Sequence, residues 1–282
     1  MERKSLFQCP VCKKALVQGE KEYRCNKGHS FDISRKGYVN LLLPNHKGSG
    51  NPGDSKEMLQ SRRDFLNKGY YEDFSDRLNA LSSHYIPNDD ANGISILDAG
   101  CGEGYYISRL KNSLWASGME KSDIYGIDVS KAAINLASGR DKAIRFAVAS
   151  TYHLPLLDRC LDGILCIFSP RDEKEFLRVL KPKGKLIVAA PGPKHLYSFK
   201  KELYGNPEYI GQKGTVGEGF SVMECVNISY GISLESNQDI MNLLSMTPYT
   251  RHTDQDAVEK LKRLNALETE VDINIIVYQK LR

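Results

Sequence analysis

The stretch ILDAGCGEGYY, residues 96–106, constrains the fold more than any other. An apolar run ends in Gly100, Gly102 and Gly104 and passes at once into a helical pattern. Glycines there let the backbone turn tightly and approach a ligand at the carboxyl end of a strand. The surrounding pattern agrees. ISILDAG, DIYGIDVS, IRFAVAS, LDGILCIFS and GKLIVAAP read as strands. YYISRLKNSLWASG, KAAINLASGR and DEKEFLRVLK read as the helices between them. Strands alternating with helices of about ten residues or more predict an α/β fold with a mostly parallel, doubly wound, Rossmann-like sheet. Beyond Pro193 the pattern loosens. CVNISYGISLE and EVDINIIVYQKL read as strands, NQDIMNLLSMT and DQDAVEKLKRLN as helices.

The loop also bears on the ligand. A dinucleotide fingerprint is G-x-G-x-x-G, and counted from Gly100 its third glycine falls on Tyr105, one residue too late. Asp98 and Glu103 flank the loop, where a pyrophosphate would meet like charge. They suit a ligand with a cationic ammonium and no phosphate, and S-adenosylmethionine (SAM) is such a ligand. Asp128, ending the next strand in YGIDVS, is placed to accept ribose hydroxyls. Taken singly, each acid reads equally well as a helix cap or a surface acid. VASTYHLPLLD and RVLKPKGKLIV resemble the adenine-side segment and the LKPGG turn of class I SAM-dependent methyltransferases, with Lys183 at the first glycine of that turn.

A second constellation lies near the start. Cys9, Cys12, Cys25 and His29 follow the spacing C-x2-C-x12-C-x3-H. Two local knuckles, each offering two ligands, make a closed tetrahedral set suited to structural zinc with no position left for substrate. About forty residues bury too little core to fold without such a staple. Loss of one ligand is therefore expected to unfold this module and leave SAM binding largely intact. From Met1 to Asn40 there are nine Lys/Arg and four Asp/Glu, a local excess larger than the net +4 of the whole 282-residue chain. A basic module on a near-neutral body fits an anionic partner such as nucleic acid, although a lysine-rich solvated surface gives the same count. PNHKGSGNPGDSK reads as a linker, followed by two helical stretches with Asp54 or Ser55 as first N-cap and Gly69 as stop. The expected division is thus a zinc-binding module at 1–44, to which the family resemblance given below adds RNA recognition, a linker with helices at 45–93 and a SAM-dependent methyltransferase domain at 94–282.

Seven cysteines without a leader argue against a secreted disulfide framework, and no apolar run nears the ~18 residues of a membrane span. A soluble chain in a reducing cytoplasm is expected.

The order of the cysteine cluster, FDISRKGYVNLL, NPGDSKEMLQSRRDFLNKGYY, LDAGCGEGYY, IDVSKAAI, VASTYHLPLLD, PGPKHL and LLSMTPY resembles the RlmA-type bacterial 23S ribosomal RNA (guanine-N1)-methyltransferases over nearly the whole chain. The resemblance implies SAM as methyl donor and a zinc module that helps recognise a hairpin loop of 23S ribosomal RNA. It implies a homodimer, and Tyr71 and His195 as further SAM contacts. Phe168, Ser169 and Pro170 depart from the Tyr–Ala–Pro-like stretch expected near the target base. Guanine N1 carries a proton that must be removed, and His153, His195 and Asp158 are the candidate acceptors. Lys47, Lys56, Arg62 and Arg63 are candidate phosphate contacts. A small-molecule methyltransferase with a zinc appendage and a non-catalytic zinc-dependent RNA-binding protein are the alternatives.

Overall fold

The computed structural model describes residues 3–44, 53–86, 93–205, 207–208, 216–251 and 254–281; Lys47 and most of the expected linker lie outside them. The chain opens with a four-stranded antiparallel meander, β1 (Arg3–Gln8), β2 (Ala15–Gln18), β3 (Glu22–Cys25) and β4 (Ser30–Asp32). β5 (Val39–Asn40) follows, then α1 (Lys56–Asn67) and α2 (Glu72–Tyr85). Ser55 caps α1 by accepting from the Met58 N–H at 3.2 Å, and Gly69, with φ +85°, ends it.

The expected alternation is then realised. β6 (Ser95–Ala99), α3 (Tyr105–Ala116), β7 (Asp123–Asp128), α4 (Lys131–Arg140) and β8 (Arg145–Val148) come first. β9 (Leu161–Ile167), α5 (Glu173–Val179) and β10 (Leu180–Pro191) complete the regular part. α6 (Tyr197–Tyr204), which the sequence pattern did not announce, precedes β11 (Phe220–Leu234), α7 (Asn237–Met246), a 3-10 turn (Pro248–Arg251), α8 (Gln255–Lys262) and β12 (Leu267–Lys280).

Eight strands form one sheet in the order β11-β12-β10-β9-β6-β7-β8-β5. From β5 to β10 every pairing is parallel, while β12 runs antiparallel to both β10 and β11. Strand order reverses at β6, whose two neighbours are β7 and β9, so a crevice opens at the carboxyl ends there. Period-two alternation sends Ile96, Ile124, Phe146, Leu165 and Ile187 to one face and Leu97, Tyr125, Ala147, Ile164 and Leu186 to the other.

The two faces are covered unequally. α1–α4 and α6–α8 contribute to the first core, with Phe65, Phe74, Leu110, Ile134, Phe199, Leu243 and Leu261. The second face is covered by α5, through Phe176 and Val179, and by the cysteine-bearing meander. Phe7 is fully buried between Tyr23 (centroids 5.5 Å apart) and Tyr125 (5.2 Å), both edge-on. β1 also bonds to the chain between β8 and β9: Gln8 N–H donates to Pro155 O at 2.8 Å and Leu157 N–H to Leu6 O at 3.0 Å. β5, inside the first 44 residues, pairs with β8 and forms the edge of the large sheet. The meander therefore stands where a doubly wound fold carries helices, as a layer of the body. This alters the expectation that SAM binding survives its unfolding.

Candidate functional site

The glycine loop leaves β6 and is pinned to the end of β7. Gly100 N–H and Cys101 N–H both donate to Ile127 O, at 2.9 and 2.8 Å. All three glycines have positive φ. At Gly100 (φ +84°) a Cβ would lie 1.9 Å from Ser169 Oγ, and at Gly104 (φ +85°) one would lie 3.0 Å from Ala137 Cβ. The first glycine thus admits β9's exit into the crevice, and the third lets α3 close on α4.

Asp128, at the end of β7, accepts the Gly102 N–H on Oδ2 at 3.0 Å and the Ser130 N–H on Oδ1 at 2.8 Å. Burial raises its pKa, and these two donors work against the rise. Asp98 is buried, and neither of its carboxylate oxygens has a partner. Burial, with the charge of Asp128 second, pushes it up to about 8. An unpartnered buried carboxylate is costly, and a cationic group brought beside it would relieve that cost. This donor set fits SAM, whose ammonium is such a group and which carries no phosphate. Glu103 is also buried, but its Oε2 accepts from Arg140 of α4 at 3.0 Å (Nε), leaving Oε1 without a partner. Its charge is therefore largely balanced.

Tyr71 and His195, 124 residues apart in sequence, meet at the same edge. Tyr71 Oη lies 3.3 Å from His195 Nε2. The Asp272 N–H donates to His195 Nδ1 at 3.2 Å, so that nitrogen carries no proton. Burial, with Lys200 second, lowers the imidazole to about 4. Neutral His195 thus holds its proton on Nε2, facing Tyr71. Phe168 stacks on the imidazole with its centroid 6.2 Å away, while remaining 40% exposed. Its φ of +51° is a strained value for an aromatic residue, retained where β9 opens into the crevice.

The zinc ligands converge as expected. Cys9 Sγ is 3.6 Å from His29 Nδ1, Cys25 Sγ is 3.4 Å from that nitrogen, and Cys12 Sγ is 3.6 Å from Cys25 Sγ. All four ligand atoms lie within 4.8 Å of one another. A tetrahedron with Zn–S of about 2.3 Å has S···S edges of about 3.8 Å, so the set matches a zinc ion. The backbone supports both knuckles: Lys13 N–H donates to Cys9 O at 2.9 Å and Gly28 N–H to Cys25 O at 3.0 Å.

The candidate proton acceptors separate. Asp158 precedes the amino end of β9, at the opposite end of the sheet from the glycine loop, and is ion-paired with Arg178 at 2.7 Å. His195 is neutral with its bare nitrogen engaged. His153 lies exposed after β8, on the carboxyl side. Among the candidate phosphate contacts, Arg62 is ion-paired with Asp54, donates to Met246 O at 3.0 Å and lies over Gly102. Lys56 is exposed and Arg63 half-buried.

The pattern did not disclose Asp272. Its carboxylate accepts from Lys194 N–H and Asn227 Nδ2, both at 2.7 Å, while its own N–H holds His195. An acid inside the apolar run of β12 is the one local signal it leaves.

Among the described residues no helix is long and apolar enough to cross a membrane. A family model described as "RlmA, N-terminal" matches residues 7–50, and one described as "Methyltransferase domain" matches residues 90–247. A Bacillus subtilis (strain 168) protein, provisionally named a 23S rRNA (guanine-N(1)-)-methyltransferase, is 33% identical over 285 residues, 98% of each chain. A Micromonospora griseorubida protein of the same provisional name is 34% identical over 70% of this chain and 69% of its own. A 23S rRNA (guanine(748)-N(1))-methyltransferase of Streptomyces fradiae is 30% identical over 67% of this chain and 65% of its own.

Proposed function

Because this chain belongs to the family of 23S rRNA (guanine-N1)-methyltransferases, we propose that it methylates N1 of a guanine in a hairpin loop of 23S ribosomal RNA. The observation that carries the reading is the end-to-end match to a relative so named, spanning both the zinc layer and the methyltransferase body. The chain is a SAM-dependent methyltransferase with a zinc site at Cys9, Cys12, Cys25 and His29. Its cofactor residues, in this reading, are Tyr71, Asp98, Gly100, Gly102, Glu103, Gly104, Asp128 and His195. The division into a zinc module at 1–44, connecting helices at 45–93 and a catalytic domain at 94–282, a homodimer and a cytoplasmic location belong to the same proposal, as does a role for the zinc module in RNA recognition.

Bound SAM supplies an electrophilic methyl group, so the protein has to orient two reactants and dispose of one proton. Asp98 offers its unpartnered carboxylate to the ammonium. Asp128, held by Gly102 and Ser130, keeps lone pairs for the ribose hydroxyls. Tyr71 accepts from His195 Nε2, which leaves the phenol proton to donate toward the crevice. His195 positions Tyr71 and takes no proton itself, and Asp158 is too remote. Of the three expected acceptors this leaves His153. A loop guanine is already unstacked, which lowers the cost of presenting its N1 edge.

The test uses labelled SAM, the full chain and unmodified 23S ribosomal RNA transcribed in vitro. Label should appear on one loop guanine and block reverse transcription there, because N1 methylation removes the pairing edge. Label on no RNA base overturns the reading.

A further inference from the structure

On the side of the sheet formed by β5 and β8, a cavity of about 140 Å³ joins the zinc layer to the methyltransferase body. Arg35 and Lys36 enter it from the turn between β4 and β5, and Lys142 from the turn between α4 and β8. That first turn is fixed: Gly37 N–H donates to Ser34 O and Ser34 N–H to Tyr38 O, each at 2.8 Å. Asp141 also lines the cavity, but it is paired with Lys111 at 2.5 Å. Among the described residues, Arg35, Lys36 and Lys142 have no ion-pair partner. The wall holds one further signal. Ser138 is 2% exposed, and its Oγ is buried without a hydrogen-bond partner. A hydroxyl left unbonded beside three unmatched cations lacks an acceptor, and the cations specify an anionic one. The carbonyl end of α4 also faces this region and works against an anion, so cations in number are needed there.

We infer that this cavity binds one phosphate of the RNA backbone, with Arg35, Lys36 and Lys142 neutralising it and Ser138 Oγ donating to it. The inference rests on the RNA reading above and extends it to a site that spans both parts of the chain. Ser130, the N-cap of α4, touches Asp128, and Ser138 lies eight residues further along the same helix, about 12 Å at 1.5 Å per residue. The cavity is therefore at the amino end of β8, the end of the sheet away from the methyl-transfer crevice, and an RNA strand held here reaches the crevice by running the length of α4, a rigid spacer between the two.

The experiment compares the full-length protein with an Arg35→Gln/Lys142→Gln double variant and with Ser138→Ala. Binding of in vitro transcribed 23S ribosomal RNA is measured across a salt series, alongside SAM affinity and melting temperature. The double variant should lose on the order of tenfold in RNA affinity, and its log–log salt slope should shrink by about 1. SAM affinity should not change. Ser138→Ala should bind RNA several-fold more weakly without melting lower, because it removes a hydroxyl the fold does not use. If RNA binding and salt slope match the unaltered protein, the inference is wrong while the proposed function stands. The inference fails in the same way if inorganic phosphate raises the melting temperature through these residues but the RNA slope does not move. If the unaltered protein binds no RNA, both fall.

Discussion

Phe7→Ala tests whether the zinc layer is part of the body. Phe7 is 0% exposed and lies edge-on to Tyr23 at 5.5 Å and Tyr125 at 5.2 Å. Truncating a buried phenylalanine costs about 3–5 kcal/mol. Each aromatic pair is worth ~0.5–1.5 kcal/mol beyond area burial, which puts this site toward the upper end. For chains of this size each kcal/mol moves the melting temperature by roughly 2–4 °C, so a fall of about 8–20 °C is expected. The decisive reading is the shape of the transition. Calorimetry of the zinc-loaded protein should show one cooperative endotherm moving as a unit, and SAM binding should be lost over the same range. A separate low-temperature endotherm, shifted alone while the main transition and SAM binding stay put, would refute the layered arrangement. So would a shift under about 3 °C.

Asp98, pushed up to about 8, gives a pH signature. Its pKa in the folded, ligand-free chain lies above the unfolded value of ~3.9, so its ionisation costs stability that is absent below that value and grows as pH rises toward 8. A cationic ligand favours the carboxylate, so SAM binding near pH 7 should release a proton and tighten as pH rises through about 8. Calorimetric titration in buffers of different ionisation enthalpy measures the release, which Asp98→Asn should abolish; equal proton release in that variant excludes Asp98 as its source. Lys183 holds φ +64° in the turn before the central part of β10, a conformation that costs a non-glycine residue ~1 kcal/mol. Lys183→Gly should therefore be stabilising by roughly 0.5 kcal/mol after the added unfolded-chain entropy, seen as a higher urea midpoint; a lower midpoint contradicts it. Asp272→Ala removes the buried carboxylate that the Lys194 N–H and Asn227 Nδ2 share as acceptor, and because both donors sit on exposed residues it should cost about 1 kcal/mol. It should weaken SAM binding through His195 and leave zinc content unchanged, which metal analysis and titration can check.

What was legible in the sequence is what is local. The glycine loop needs three glycines within five residues after a strand, and the zinc site needs two pairs of ligands, each pair within five residues. Ser55 and Gly69 bounded α1 by their own capping chemistry. What stayed hidden depends on partners far along the chain. Phe7 and Tyr125 are 118 residues apart, and nothing near Phe7 marks it as covering a parallel sheet. Asp272 acts on Lys194 from 78 residues away. α6 begins after Leu196, whose left-handed backbone (φ +55°) leaves no capping residue to read. Tyr71 and His195 were reached only through family resemblance, since each alone passes for an ordinary buried aromatic and a loop histidine.

The zinc layer also changes what recognition can mean in this fold. A module on a flexible tether raises only the local concentration of RNA, leaving the target base to find the crevice. Here the meander shares a core with β7, through Phe7 and Tyr125, and ends in β5, hydrogen-bonded to β8. β8 neighbours β7, whose last residue is Asp128. An RNA strand gripped by Arg35 and Lys36 is therefore referred to the cofactor pocket through a continuous sheet and one helix. Holding reactants in register is how orientation lowers a transfer barrier, and an ångström of slack can cost about a hundredfold in rate. Lengthening the turn at Gly37 by two glycines puts slack into that path without touching the glycine loop. The rate of methyl transfer at saturating RNA should then fall at least tenfold with SAM affinity intact. An unchanged rate would mean that the layer serves binding alone.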